Sequence, residues 1–141
     1  FNLAYVEGFE AMTGAMALTS IAAAEAGTST IPAGPWGQLW GWHLAEEMEH
    51  RTVAFDLYEH LEGSYPYRVV GSLRAQAHFQ RAIDRLQRVL LASQGQPARP
   101  HVPYWFSAGR SRYLTTFKRS YDPGLIDPGP IPALILSQYA A

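Results

Sequence analysis

The chain has 141 residues, a net charge of −1 and no cysteine. The absence of thiols excludes thiolate catalysis, disulfides and cysteine-based zinc sites, and the scattered basic residues leave no electrostatic footprint for nucleic acid. Hydrophobic residues make up 48% of the chain and aromatic residues 13%, enough for the core of one domain or part of one, but charged residues reach only 16%, low for a soluble domain. Part of the surface is therefore expected to be covered by something this chain does not contain. Apolar runs stay below the ~18 residues of a membrane span. The longest, Met12 to Ala26, is interrupted by Thr13, Gly14, Thr19, Ser20 and Glu25, so no membrane span is expected and a cytoplasmic location is. The chain opens on Phe1 with no basic n-region or cleavage motif, and it reads as truncated.

The first helix is predicted from about Leu3 to Ala26, where Ala, Met, Leu and Glu favour it and Gly27 stops it. One row of this helix reads Leu3, Val6, Glu10, Thr13, Ala17, Ile21, with Glu10 alone in apolar surroundings. Glu7 belongs to another row, beside Ala11, Gly14 and Leu18. The small residues Gly14, Ala15, Ala17 and Ala22 to Ala24 allow a close approach to a second helix. Residues 27–35 are rich in Gly, Ser, Thr and Pro and form a loop, and Pro35 sits where helices start.

The second helix is predicted from about Trp36 to Leu61, and it holds the most informative stretch. At 100° per residue, His43, Glu46, Glu47 and His50 share one face, with Leu39 before them and Ala54, Leu57 and Leu61 after them. An apolar stripe normally faces a core. Two carboxylates and two imidazoles in its middle are costly to bury unless paired or bound to a metal. Glu47 and His50 form a Glu-x-x-His motif whose side chains point the same way. In carboxylate bundles such a motif supplies one carboxylate and one imidazole, and a lone glutamate from another helix completes the set. Glu10 is that glutamate. Carboxylate and imidazole donors suit iron or manganese. The competing expectation is a solvated acidic face with Glu47 and Arg51 paired, in which case Trp36, Trp40, Trp42, Val53 and Phe55 face the core. Glu49 and Asp56 point away from the His50 face.

A third helix is predicted from about Pro66 to Ser93, with Phe79, Ile83, Leu86 and Leu90 as its core row and His78 satisfied or partly exposed beside it. A loop follows from residue 94 to 103. A helix is then predicted from Tyr104 to Ser120, a Pro/Gly-rich crossing from Tyr121 to Pro130, and a short apolar helix from Ile131 to Tyr139. There is no internal repeat and no strand pattern.

The run Trp42-His43-Leu44-Ala45-Glu46-Glu47-Met48-Glu49-His50-Arg51-Thr52-Val53-Ala54-Phe55-Asp56 closely resembles the bacterial family of predicted metal-dependent hydrolases, whose fold is ferritin-like. Phe9-Glu10-Ala11-Met12-Thr13 is similar to that family's Glu-His-x-Thr helix, with Ala11 where histidine is common. Tyr65-Pro66-Tyr67-Arg68 resembles its Tyr/Arg turn, and Tyr121-Asp122-Pro123-Gly124-Leu125-Ile126-Asp127-Pro128 its terminal segment, with Ile126-Asp127 in place of Phe-His.

The resemblance implies the C-terminal part of a single all-α, ferritin-like helical bundle. Glu10, Glu47 and His50 are expected as ligands of a divalent metal, iron first and manganese or zinc as alternatives. His43 and Glu46 are expected as alternates or as groups that orient those ligands. The activity implied is metal-dependent hydrolysis of a small-molecule substrate. The rival readings are a di-iron oxidase or oxygenase, and a non-catalytic metal-binding or interaction domain. Two ligand-bearing helices cannot enclose a metal alone, so missing N-terminal helices or a second copy of the chain are expected to close the site.

Overall fold

The computed structural model describes residues 2–28, 34–97 and 109–137. Six α-helices occur there: α1 (Asn2–Glu25), α2 (Pro35–Glu49), α3 (Val53–Leu61), α4 (Tyr65–Ser93), α5 (Arg110–Thr115) and α6 (Ile131–Ser137). A single 3-10 turn, Pro123–Leu125, lies between the last two. Among the described residues there is no strand, and the architecture is an all-α helical bundle.

Helix α1 is the element on which the others pack. It lies chiefly against α4 and also meets α2, α3 and α5, while α2 is backed by α6. The α1–α4 contact is close because small residues line it. A Cβ added at Gly8 would fall 2.2 Å from Ser72 Cα, and one at Gly71 would fall 2.4 Å from the Ala4 carbonyl oxygen. Ala4, Ala11 and Ala75 are buried along the same seam. On the other side of α1, Ala17 and Ile21 pack with Leu44 and Met48 of α2, and Leu18 and Ile131 close that cluster. The apolar core thus lies between α1, α2 and α6, just beyond the stretch where α1 and α2 carry their polar residues.

The predicted helix from Trp36 to Leu61 is two helices. α2 ends at Glu49, the His50 amide donates to the Glu46 carbonyl at 3.1 Å, and the Val53 amide donates to the His50 carbonyl at 3.0 Å. The break coincides with Arg51, whose side chain turns away to the C-terminal segment. Its Nε donates to the Pro123 carbonyl at 3.1 Å and its Nη2 to the Ile126 carbonyl at 3.2 Å, while Nη1 reaches back to the Met48 carbonyl. The β-branched pair Thr52-Val53 also disfavours an uninterrupted helix. Arg51 is therefore a strap to the C-terminal segment, not the ion-pair partner of Glu47.

α3 ends on Gly63, whose φ of 63° places it in the left-handed region, and its amide donates to the Tyr58 carbonyl at 3.0 Å. That is the usual way a glycine stops a helix, and it lets α4 start at Tyr65.

Several expected burial patterns are reversed. Leu39, Leu57 and Leu61 are exposed, as are Trp36, Trp40 and Val53. Neither expected core face of α2 and α3 holds in full: Ala54 and Tyr58 are what α3 buries. On α4 the buried face is Arg68, Gly71, Ser72, Ala75 and Gln76, whereas Leu86 and Leu90 of the expected core row are exposed. The partner of α4 is the small-residue face of α1, which selects glycine, alanine and serine over leucine. Tyr104 and its neighbours lie outside the described residues. The helix expected there is seen only as Arg110–Thr115, and that expected from Ile131 as Ile131–Ser137, with residues 138 and 139 outside.

A candidate metal centre on one open face

The direction of α1 against α2 brings two short pairs into register. Glu10 and Thr13 are three residues apart on α1, and Glu47 of α2 stands three residues before His50, which caps the C-terminal end of that helix, so each pair points to one side. Where the helices meet, Thr13 faces Glu47 and Glu10 faces His50. The Thr13 hydroxyl donates to Glu47 Oε2 at 2.9 Å, and His50 Nδ1 lies 3.7 Å from Glu10 Oε2. One ligand atom from each of Glu10, Glu47 and His50 falls within 4.8 Å of the others. His43, one turn before Glu47, places Nε2 3.5 Å from Glu47 Oε1, and its ring rests against Trp40 at a centroid distance of 5.8 Å.

The four side chains differ in exposure in a way that gives the site a floor and a mouth. Glu47 is 11% exposed and forms the floor, whereas Glu10 is 28%, His50 40% and His43 48% exposed. Concavities of about 400, 640 and 520 Å³ lie along α4 and its neighbours, and none of these three includes Glu10, Glu47 or His50. With Glu10, His50 and His43 partly exposed, the cluster is open to solvent on one side. Burial pushes the Glu10 carboxyl above the usual carboxylate range, and the facing Glu47 carboxylate pushes it further the same way. Two carboxylates turned toward each other beside an imidazole is an arrangement that a cation stabilises. The donor set of two oxygens and one nitrogen fits a divalent metal such as iron, manganese or zinc.

Of the other residues singled out by the sequence, Glu46 is half-buried and outside the cluster, and Glu49 and Asp56 are exposed. Ala11 is buried in the α1–α4 seam. His78 is exposed and bonded to the Tyr5 hydroxyl through Nδ1 at 2.5 Å, far from the centre in sequence and facing another side of α1.

Two contacts were not foreseen from the sequence. Thr13 stands in the Glu10 row and in the segment similar to the Glu-His-x-Thr helix, and that placement is the signal for its contact with Glu47. Glu7 carried no such signal. It is the most deeply buried carboxyl of the described residues, 1% exposed, and faces Arg68, whose Nη1 donates to Glu7 Oε1 at 3.4 Å. Arg68 Nη1 also donates to the Thr116 carbonyl at 2.9 Å, and Nη2 to the Lys118 carbonyl at 2.8 Å. The rings of Tyr121, Tyr65 and Phe55 lie 5.5–5.8 Å from the guanidinium. This buried hub fixes α1, α4 and the C-terminal segment relative to one another. Burial pushes the Glu7 carboxyl up to about 7, against the opposing pull of Arg68.

No curated protein and no solved structure matches the chain. The sequence model of one family does match, over residues 1–127, which span both ligand-bearing helices, the Arg68 hub and the segment that Arg51 holds. The chain belongs to the family described as predicted metal-dependent hydrolase.

Proposed function

We propose that this chain is the C-terminal, ligand-bearing part of a ferritin-like metal-dependent hydrolase, in which Glu10, Glu47 and His50 hold a divalent metal. The observation that carries this reading is the convergence of those three donors, from two helices, within 4.8 Å. Family membership supports the reaction class and a small-molecule substrate. Iron is the metal this reading puts first, with manganese and zinc as the alternatives.

A bound metal of this kind supplies an activated water and polarises the bond under attack. The chain's own residues do the rest. Glu47, anchored at the floor on α2, fixes the position of the centre, Glu10 holds it from α1, and His50 holds it at the mouth. His43 Nε2, beside Glu47 and exposed at the rim, is placed to take and return a proton at the substrate side. The open face admits a substrate, and the exposed residues Val6 of α1, Trp40 of α2 and Val53 and Leu57 of α3 give further helices, from the same polypeptide or a second copy, an apolar surface to close over it.

The same donor set supports a second reading, dioxygen chemistry at a di-iron centre, because carboxylate and imidazole ligation without thiolate also suits paired irons. The two are separated by assaying metal-loaded protein in parallel for hydrolysis of activated esters and for oxygen consumption with iron and a reductant. Ester turnover that vanishes on chelation and returns with metal supports the hydrolase. Oxygen uptake without ester turnover supports the oxidase and overturns the first reading.

A further inference from the structure

We infer that Thr13 is a positioning residue of this centre: its hydroxyl fixes the Glu47 carboxylate in the orientation that serves metal binding. The inference rests on the metal-binding reading above and concerns how the site achieves its affinity. A helical threonine often satisfies its hydroxyl on a backbone carbonyl of the preceding turn, and the Glu10 carbonyl is available to Thr13 at 3.2 Å. The competing acceptor, Glu47 Oε2, is closer at 2.9 Å. It is also a carboxylate, and hydrogen bonds to ionised acceptors are roughly twice as strong as neutral ones. The hydroxyl has one proton, and both distance and charge direct it to Glu47.

The consequence follows from where Glu47 sits. It is the least exposed member of the cluster, so water contributes little to its orientation. Thr13 meets one carboxylate oxygen, Oε2, and His43 Nε2 faces the other, Oε1, at 3.5 Å. Glu47 is thus braced from α1 and from its own helix, and the firm contact of the two is the threonine. Thr13 also couples the helices, since α1 supplies both Glu10 and the group that orients the α2 carboxylate. Partners that orient a ligand typically contribute about 10- to 100-fold to metal affinity.

The test is isothermal titration of metal-free protein with Co²⁺ and Mn²⁺, together with the visible spectrum of the Co²⁺ form, for wild type, Thr13→Val and Thr13→Ser. Valine keeps the shape and removes the hydroxyl, and serine keeps the hydroxyl. The expected result is a Kd raised about 10- to 100-fold in Thr13→Val with a changed Co²⁺ spectrum, and recovery to within about threefold of wild type in Thr13→Ser. Wild-type affinity and spectrum in Thr13→Val would overturn the inference and leave the metal site standing. Equal weakening in both variants would overturn it too, because the hydroxyl would not be the operative group. A wild type that binds neither metal overturns the site reading and this inference with it. If the valine variant does not fold, Thr13→Ala carries the same comparison.

Discussion

Glu7 and Glu10 lie one turn apart on α1 and are displaced from ordinary carboxylate behaviour for different reasons. Glu10 is half-buried and faces Glu47 across a gap open to solvent. Glu7 is enclosed, shares one oxygen with Arg68 at 3.4 Å and finds no hydrogen-bond partner for its Oε2 among the described residues. Burial outweighs the arginine, so the neutral form is favoured up to about pH 7. The groups facing it are Arg68 of α4, Tyr58 and Glu59 of α3, and Tyr121 of the C-terminal segment. A carboxyl whose folded pKa is raised binds more protons folded than unfolded. Its stabilisation is complete below the unfolded value near 4.5 and is lost as pH rises through about 7. The contribution of Glu7 is about 3 kcal/mol, since each tenfold gain in proton affinity on folding is worth about 1.4 kcal/mol. In urea denaturation of metal-free protein at pH 5 and pH 7.5, Glu7→Gln should remove this part of the fall in stability. Comparison with wild type cancels the histidines and Glu10, and an identical pH dependence in the two proteins would contradict the assignment.

At the scale of elements, the determining contact is α1 on α4, where two glycines stand at backbone-to-backbone distance. Gly8→Ala and Gly71→Ala each place a methyl where backbone atoms already sit. Overpacking of this kind costs about 1–3 kcal/mol, and because the obstacle is backbone rather than a flexible side chain, the upper part of that range is expected. Thermal denaturation checks it: a loss under about 0.5 kcal/mol, the range of neutral surface changes, would mean that the two helices sit farther apart than these distances imply.

The legibility of the sequence followed the same physics. Helical periodicity, Pro35 and Gly63 marked α1, the start of α2, the end of α3 and the start of α4 closely, because those signals are local. The Glu-x-x-His spacing and the isolated Glu10 marked a cluster that the structure does bring together. Burial was less legible, since an apolar row is buried only if a neighbour covers it. Leu39, Leu57, Leu61, Leu86 and Leu90 are left exposed, whereas Gly71 and Ser72 are covered by α1. The Arg51 break and the Arg68 hub depend on carbonyls about 50 to 75 residues away in sequence. No local pattern announces contacts of that range.

On the scale of the whole molecule, the apolar core and the buried polar hub occupy the two ends of α1, and the candidate metal centre lies between them. None of the helices among the described residues is long and apolar enough to cross a membrane. What remains exposed is unusual instead for its aromatic and aliphatic content, with Trp36 at 79% and Leu134 at 61%. In the proposed reading, exposed apolar side chains of this kind are where further helices would cover the ligand cluster. Ligand binding stabilises the folded state by mass action, about 2.7 kcal/mol at a metal concentration 100 times Kd, so the centre can be read through stability as well as through chemistry. The most direct measurement is metal content and thermal melting of the purified chain after reconstitution with Fe²⁺, Mn²⁺ or Zn²⁺, with Glu47→Ala as the comparison. Stoichiometric metal and a melting temperature that falls on chelation are expected in the wild type, and neither in Glu47→Ala. A wild type that retains no metal and melts identically with and without chelator would contradict a metal centre at Glu10, Glu47 and His50.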